Sequence, residues 1–74
     1  MSEKSRRVFN YIRDYIREHK YAPSYEEIGN GCELKSKASV CYHVNKLIKD
    51  NWLETDHERC PRALRLSLKG ERLP

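Results

Sequence analysis

Residues 24–47, SYEEIGNGCELKSKASVCYHVNKL, decide the fold because they contain two short helical segments separated by a turn. Ser24 begins the first segment and forms a capping box with Glu27, in which each side chain accepts the other residue's backbone N–H. Ser36 occupies the same capping position before the second segment. At 100° per residue, the buried stripe of that segment lies within roughly 80° of its first member and consists of Val40, Val44, Leu47 and Ile48.

Charge is distributed unevenly over this stretch. The charged side chains between residues 22 and 34 are all glutamates, whereas residues 34–49 hold four lysines and no carboxylate. The net charge of +4 is concentrated in residues 34–49 and 59–74, which are separated by the acidic residues 50–58. A helix that approaches nucleic-acid phosphates needs lysines and lacks carboxylates. The pattern therefore indicates a surface that faces a polyanion, with solvated lysines as the alternative if charge is taken alone.

The residues before this stretch predict one amphipathic helix, which begins at Ser2 or Glu3 and runs to His19. It cannot continue past Pro23, because proline lacks an N–H and disfavours a helical residue before it. Apolar residues recur at the helical spacing that is typical of a single buried face. That face consists of Val8, Ile12 and Ile16, widened by Phe9, Tyr11 and Tyr15.

Beyond the third helix, residues 52–55 and 63–68 alternate as strands do, and a polar loop at 56–62 contains Pro61. Leu64, Leu66 and Leu68 would share one face of the second strand. The predicted fold class is therefore α+β: a winged helix with three helices followed by a two-stranded β-hairpin wing. At 74 residues, we expect one domain over residues 1–74 with a small core.

Composition excludes several classes of protein. Charged residues are 35% and hydrophobic residues 38% of the chain, a globular balance without a membrane span or a signal peptide. Three cysteines leave at least one unpaired, so reduced thiols in the cytosol are the simplest interpretation. We expect Cys32 in the core, Cys41 on a helix flank and Cys60 exposed on the wing.

These segments resemble the N-terminal DNA-binding domain of LexA-type repressors, and the resemblance covers roughly residues 6–68. It is carried by RRVFNYIRDYI on the first helix, YAPSYEEIG at the second, LKSKASVCYHVNKL at the third, and NWLE with PRALRL in the wing. The resemblance implies a winged-helix fold that binds an operator through its third helix. LexA-type repressors also carry a self-cleaving, dimerising C-terminal domain, and we expect neither self-cleavage nor its damage response here because this chain ends before such a domain.

Two further departures from the family concern backbone and specificity. Lys20 and Glu33 stand where the family usually has glycine, which predicts either a left-handed backbone or a different turn at each position. The family reads bases from the start of the third helix. The corresponding residues differ enough that we do not expect the family's operator, and they are Ser36, Ala38, Ser39, Cys41 and Tyr42.

The candidate interface follows from the exposed face of the third helix and from the wing. Serine hydroxyls can bond several base edges, alanine can touch a thymine methyl, and tyrosine can reach a phosphate or stack. Wing arginines could enter a minor groove or hold phosphate, although Arg65 is equally suited to pair with Glu54 across the hairpin. The candidate DNA-binding residues are Lys35, Ser36, Lys37, Ala38, Ser39, Cys41, Tyr42, Asn45, Lys46, Arg59 and Arg62.

Metal binding and catalysis have weak support in the sequence. Cys41 and His43 point about 200° apart on a helix, and His57 with Cys60 could supply only two ligands. The chain has no glycine-rich phosphate loop, His-Glu-x-x-His motif or nucleophile elbow. We therefore expect a protein that is not an enzyme and uses no cofactor, metal or small-molecule effector.

The predicted function is sequence-specific binding of double-stranded DNA by a transcriptional repressor or regulator. The third helix, residues 36–49, would lie in the major groove, and residues 56–62 would follow the backbone or minor groove. We expect no membrane association, and a monomer or weak dimer that pairs on DNA. The alternative is a winged helix that has lost DNA binding and docks a protein partner. A second alternative is an excised fragment of a longer repressor, which the C-terminal residues 69–74 neither favour nor exclude.

Overall fold

The computed structural model describes residues 2–55 and 63–73. In chain order the elements are α1 (Glu3–His19), α2 (Tyr25–Gly31), α3 (Lys37–Lys49), β1 (Leu53–Thr55), β2 (Leu64–Leu66) and α4 (Leu68–Glu71). The strands pair antiparallel, with Leu53 opposite Leu66 and Thr55 opposite Leu64. The predicted α+β winged helix, three helices and then a hairpin, is confirmed.

Serine caps set the starts of the helices. Ser24 accepts the Glu27 N–H at 3.1 Å, and the Glu27 carboxylate accepts the Ser24 N–H at 2.8 Å, so the predicted capping box is present. Ser36 accepts the Ser39 N–H at 3.2 Å and caps α3 as predicted. Each bond satisfies a backbone donor that the first turn of a helix leaves unpaired.

The core lies where α1, α2 and α3 meet the hairpin, and its buried side chains come from every one of these elements. Deletion of methylene groups from such a core costs both transfer free energy and a cavity. Ile16 and Ile48, which we predicted within the buried stripes, are only partly buried at its edge. The buried apolar residues are Val8, Phe9, Ile12, Ala22, Ile28, Cys32, Val40, Val44, Leu47, Leu53 and Leu64.

The turns before and after α2 have a left-handed backbone at Lys20 and Glu33. This is one of the two alternatives that the sequence left open at these positions. Lys20 has φ 67° and Glu33 has φ 57°, both in the left-handed region that glycine occupies most readily. Gly29 allows α2 to pack closely on α3, because an added Cβ there would lie 3.2 Å from the Leu34 carbonyl oxygen and 3.5 Å from Val40 Cγ2. Glu33 and Gly29 thus lie at the turn and the close contact that join α2 to α3, whereas Lys20 lies in the turn between α1 and α2.

The prediction of a strand over residues 63–68 is wrong at its C-terminal end. Ser67 leaves the strand and caps α4, accepting the Gly70 N–H at 3.0 Å. Leu68 consequently lies exposed on α4 instead of sharing a face with Leu64 and Leu66. The Ser67 hydroxyl also donates to the carbonyl of Asn51, just beyond the end of α3. This contact with a distant residue outweighs the strand preference that the alternating leucines indicated.

Candidate nucleic-acid interface

The buried face of α3 fixes how its outer face is presented. Val40, Val44 and Leu47 are each at most 1% exposed and pack into the core. At 100° per residue, the opposite side of the helix lies between about 140° and 200° from Val40. We call this line of side chains the outer stripe, and it consists of Ala38, Tyr42, Asn45 and Lys49.

All four residues of the outer stripe are exposed, and Tyr42 is the largest of them, with 60% of its surface exposed. The ring of Tyr42 is held on two sides. It makes an edge contact with the His43 ring, with centroids 5.2 Å apart, and the Lys46 ammonium lies 5.9 Å from its centroid. An exposed aromatic ring with a neighbouring cation can contact both bases and phosphates.

The N-terminal end of α3 adds hydroxyls and positive charge. Ser36 donates to the Ser39 hydroxyl at 3.2 Å, while Lys35 and Lys37 on either side of the cap are exposed. The backbone donors of a first helical turn and nearby lysines both favour anions. This end of the helix is therefore suited to phosphate contact.

Most of the candidate residues on and just before α3 are exposed in the structure. Cys41 and Ser39 are half-buried, and the remaining ones are exposed. The exposed members of the predicted set are Lys35, Ser36, Lys37, Ala38, Tyr42, Asn45 and Lys46. Arg59, Arg62 and Cys60 lie outside the described residues, as does the predicted wing loop at 56–62.

Arg65 pairs with a carboxylate across the hairpin. Its Nε donates to Glu54 Oε2 at 3.1 Å, in a strand register that places the two residues opposite each other. Both side chains remain at least half exposed, so the pair adds little to stability. Of the two roles that the sequence left open for Arg65, the structure has the ion pair.

A chain of polar side chains that ends in the buried pair Ser5 and His43 was not predicted from the sequence. Ser2 donates to the Ser5 hydroxyl at 3.0 Å, and Ser5 Oγ lies 3.0 Å from His43 Nδ1. Ser5 is 1% and His43 9% exposed. Burial, together with the charges of Lys4 and Lys46, lowers the pKa of His43. His43 lies about 60° from Val40 on the helix, so the same phase that placed the buried stripe could have placed it.

The carboxylate of Glu27 on α2 is engaged by α1 and by the cap of its own helix. Tyr15 donates to Glu27 Oε2 at 2.8 Å, and this hydrogen bond is the main reason that the pKa of Tyr15 is raised. Cys32 is buried as predicted, and burial raises the pKa of its thiol. Within residues 2–55 and 63–73, no group of three metal-ligating side chains comes together, and no described helix is long and apolar enough to cross a membrane.

Comparison with known proteins identifies the family. The family model described as the LexA DNA binding domain matches residues 1–63. A LexA repressor of Thermobifida fusca is 37% identical over 68 residues, which is 92% of this chain and 27% of that protein. The LexA repressor of Limosilactobacillus reuteri is 36% identical over 67 residues, or 90% of this chain and 32% of that protein.

The match also extends over the whole of this chain in another relative. A LexA repressor of Corynebacterium diphtheriae is 34% identical over 74 residues, which is 100% of this chain and 31% of that protein. The chain thus spans about a third or less of the length of these relatives. The match to a family model over residues 1–63, together with the helix-turn-helix and hairpin, shows that the chain belongs to the LexA DNA binding domain family.

Proposed function

We propose that residues 1–74 act as one domain that binds double-stranded DNA in a sequence-specific manner and represses or otherwise regulates transcription. The observation that carries this proposal is the exposed surface of α3, which has lysines, hydroxyls, an aromatic ring and no carboxylate over residues 37–49. A major groove admits one α-helix, and its phosphates repel carboxylates. The names of the relatives, all LexA repressors, support the same function.

In this proposal α3 lies in the major groove with its N-terminal end toward the phosphates. Ser36 and Ser39 offer hydroxyls to bases or phosphates, and Ala38 is small enough to let the helix approach closely. Positive side chains at both ends of the surface neutralise phosphates. These are Lys35, Lys37, Lys46 and Lys49, with Arg59 and Arg62 proposed to add contacts from the wing.

Selection from a random-sequence duplex pool, followed by titration of the enriched duplex, tests the proposal. We expect one sequence class to be enriched and to bind at least tenfold more tightly than an unrelated duplex. Lys46→Ala should weaken binding, because it removes a cation from the proposed surface. Failure to enrich any duplex with folded protein would contradict DNA binding and favour the protein-interaction alternative.

Arg17→Ala provides a matched control for loss of one positive charge. Arg17 is exposed near the C-terminal end of α1, twelve residues beyond Ser5, which contacts α3 through His43. At 1.5 Å per residue this corresponds to about 18 Å along the helix. Arg17→Ala should therefore bind the selected duplex nearly as tightly as the parent. Equal losses in Arg17→Ala and Lys46→Ala would indicate a general charge effect instead of a defined surface.

We further propose that two copies pair on a two-fold DNA site and separate in free solution. A standard stable interface buries about 1,600 Å² in total, which is a large demand on a chain whose whole accessible surface is 5048 Å². Symmetric half-sites about one helical turn apart would hold two domains side by side without such an interface. Sedimentation at about 10 µM, where an interaction of about −8 kcal/mol forms mostly dimer, should give a monomer mass for the free protein and two copies per selected duplex.

A further inference from the structure

The carboxamide of Asn45 on the outer stripe is both a hydrogen-bond donor and an acceptor, whereas a phosphate contact needs only a donor. Asn45 lies on this stripe between Tyr42 and Lys49, exposed and one turn from each. Ser36 and Glu27 of the helix-turn-helix are engaged locally: Ser36 bonds Ser39, and Glu27 bonds Ser24 and Tyr15. Within the described residues, by contrast, no hydrogen bond holds the Asn45 carboxamide. Both its donor and its acceptor are available to a ligand.

The surface around Asn45 is concave. A shallow depression of about 410 Å³ is bounded by the outer stripe from Tyr42 onward and by the end of α3. Its lining combines the Asn45 amide and the Tyr42 ring with two lysines and one carboxylate. The amide and the ring offer groups that can contact the edge of a base pair, and the lysines offer charges that can contact the flanking phosphates. The lining residues are Tyr42, Asn45, Lys46, Lys49 and Asp50.

We propose that Asn45 and Tyr42 together read an A·T step in the major groove, Asn45 through the adenine edge and Tyr42 through the thymine methyl. This inference rests on the proposed function and adds the base preference of the same surface. A carboxamide can bond adenine N6 and N7 at once, and among the base edges of the major groove this pairing is the one that suits asparagine. Lys46 and Lys49 then contact phosphates and carry no base preference.

The spacing of the two residues supports a shared step. Side chains three apart on a helix have Cβ atoms about 5–6 Å apart, and adjacent base pairs are separated by about 3.4 Å along the duplex axis. Tyr42 and Asn45 therefore contact the same base pair or neighbouring ones. Since His43 and Lys46 border the Tyr42 ring, the ring presents its apolar face at a defined place, where a thymine methyl replaces water.

Base analogues in the selected duplex test each half of the proposal separately. Replacement of the contacted adenine by 7-deazaadenine removes the N7 acceptor and should lower the affinity of the parent protein about fivefold or more. Replacement of the thymine by uracil removes the methyl group and should lower it about threefold. The titrations use the selected duplex with one analogue at a time, at a single fixed salt concentration.

Protein variants then assign each effect to its residue. Asn45→Ala should lose sensitivity to 7-deazaadenine and keep sensitivity to uracil. Tyr42→Ala should show the reverse, whereas Tyr42→Phe keeps the ring and should retain the full uracil effect. Lys49→Gln is the matched control on the same stripe, because it should weaken binding to all of these duplexes by the same factor.

The outcomes separate this inference from the proposed function. An enriched duplex whose affinity is unchanged by both analogues, or an Asn45→Ala variant that responds to 7-deazaadenine as the parent does, would overturn the A·T reading and leave DNA binding standing. Loss of the uracil effect in Tyr42→Phe would show that the hydroxyl and not the ring acts there, and would overturn the part assigned to Tyr42. If folded protein enriches no duplex, both proposals fail.

Discussion

The two faces of α3 share one backbone and one set of helix propensities, yet different physics selects their residues. The inner face, represented by Val40, Val44 and Leu47, packs on α1, α2 and β1, and each of these side chains is at most 1% exposed. The outer stripe, represented by Tyr42 and Asn45, makes no contribution to that packing. Apolar volume therefore constrains the inner face, whereas folding leaves the outer face unconstrained. Since packing does not explain the aromatic ring and the free carboxamide on the outer face, we infer that they serve to bind a ligand.

The largest expected effect is a difference in folding stability between a mutation on the inner face and one on the outer face. Leu47→Ala should lower the free energy of unfolding by roughly 2–5 kcal/mol, because the buried side chain loses its transfer free energy and leaves a cavity. For a domain of this size each kcal/mol lowers the melting temperature by about 4–8 °C. Lys49→Ala, on the opposite face, should change stability by at most about 0.5 kcal/mol. Thermal melts that lowered both equally would show that the helix phase is wrong.

The next effect concerns the outer face and salt. With four or five phosphate contacts from lysines and arginines, the logarithm of affinity plotted against the logarithm of salt concentration should have a slope of about −4. Affinity should then fall roughly 250-fold between 50 and 200 mM salt. Lys46→Ala should reduce the magnitude of the slope by about 1. A slope near zero for the parent protein would contradict phosphate contact altogether.

A smaller effect distinguishes binding from folding at a single aromatic residue. Tyr42→Ala should weaken binding to the selected duplex about tenfold, through loss of a base contact of 1–3 kcal/mol. Its melting temperature should stay within about 4 °C of the parent, since exposed substitutions change stability by at most about 0.5 kcal/mol. Titration and a thermal melt of the same preparation check both parts. A much earlier melt would place Tyr42 in the core instead.

The features predictable from the sequence are the local ones. A capping box such as Ser24 and Glu27 needs only residues three apart, and the inner stripe of α3 needs only a helical period. The left-handed turns at Lys20 and Glu33 were one of two alternatives, because a side chain in place of glycine does not reveal whether the turn has changed. Candidate residues on α3 follow from the same phase, since the face opposite a buried stripe is exposed.

What the sequence did not reveal depends on contacts between distant residues. Leu64, Leu66 and Leu68 alternate as a strand does. The Ser67 hydroxyl nevertheless donates to the carbonyl of Asn51, just beyond the end of α3, and the strand ends before Ser67. Gly70 then packs against the Trp52 carbonyl oxygen and the Phe9 ring, where a Cβ would collide. No periodicity within residues 63–68 contains this information.

The polar chain of Ser2, Ser5 and His43 is the second such case, because its buried members Ser5 and His43 are 38 residues apart. A histidine near a buried stripe gives a hint in the sequence, but nothing local names Ser5 as its partner. The same chain connects the N-terminal turn of α1 to the helix that carries the outer stripe. It therefore provides a means to disturb the inner face without removing an apolar group.

Acidification protonates His43 without removing an apolar group, and it should produce the smallest of the expected changes in stability. Burial and the charges of Lys4 on α1 and Lys46 on α3 lower the pKa of His43 below its ordinary value of 6.5. The unfolded chain therefore takes up a proton at a higher pH than the folded one, so stability should fall as the pH drops below about 6.5 toward the folded pKa. Above that range the contribution is constant. The comparison uses melting temperatures between about pH 5.5 and 7.5, where most carboxylates stay ionised.

Two histidine variants assign this pH dependence. His43→Gln keeps a polar group near Ser5 but cannot titrate, so its melting temperature should vary less with pH than that of the parent. His19→Gln makes the same change at an exposed histidine at the end of α1, and the pH dependence of His43→Gln is compared with that of this control. Protonation of His43 makes both of its ring nitrogens donors and adds a positive charge near Lys4 and Lys46, the two cations that already lower its pKa. If His43→Gln retained the parent's full pH dependence, the inner face of α3 would be insensitive to His43 protonation, and its stability would rest on apolar packing alone.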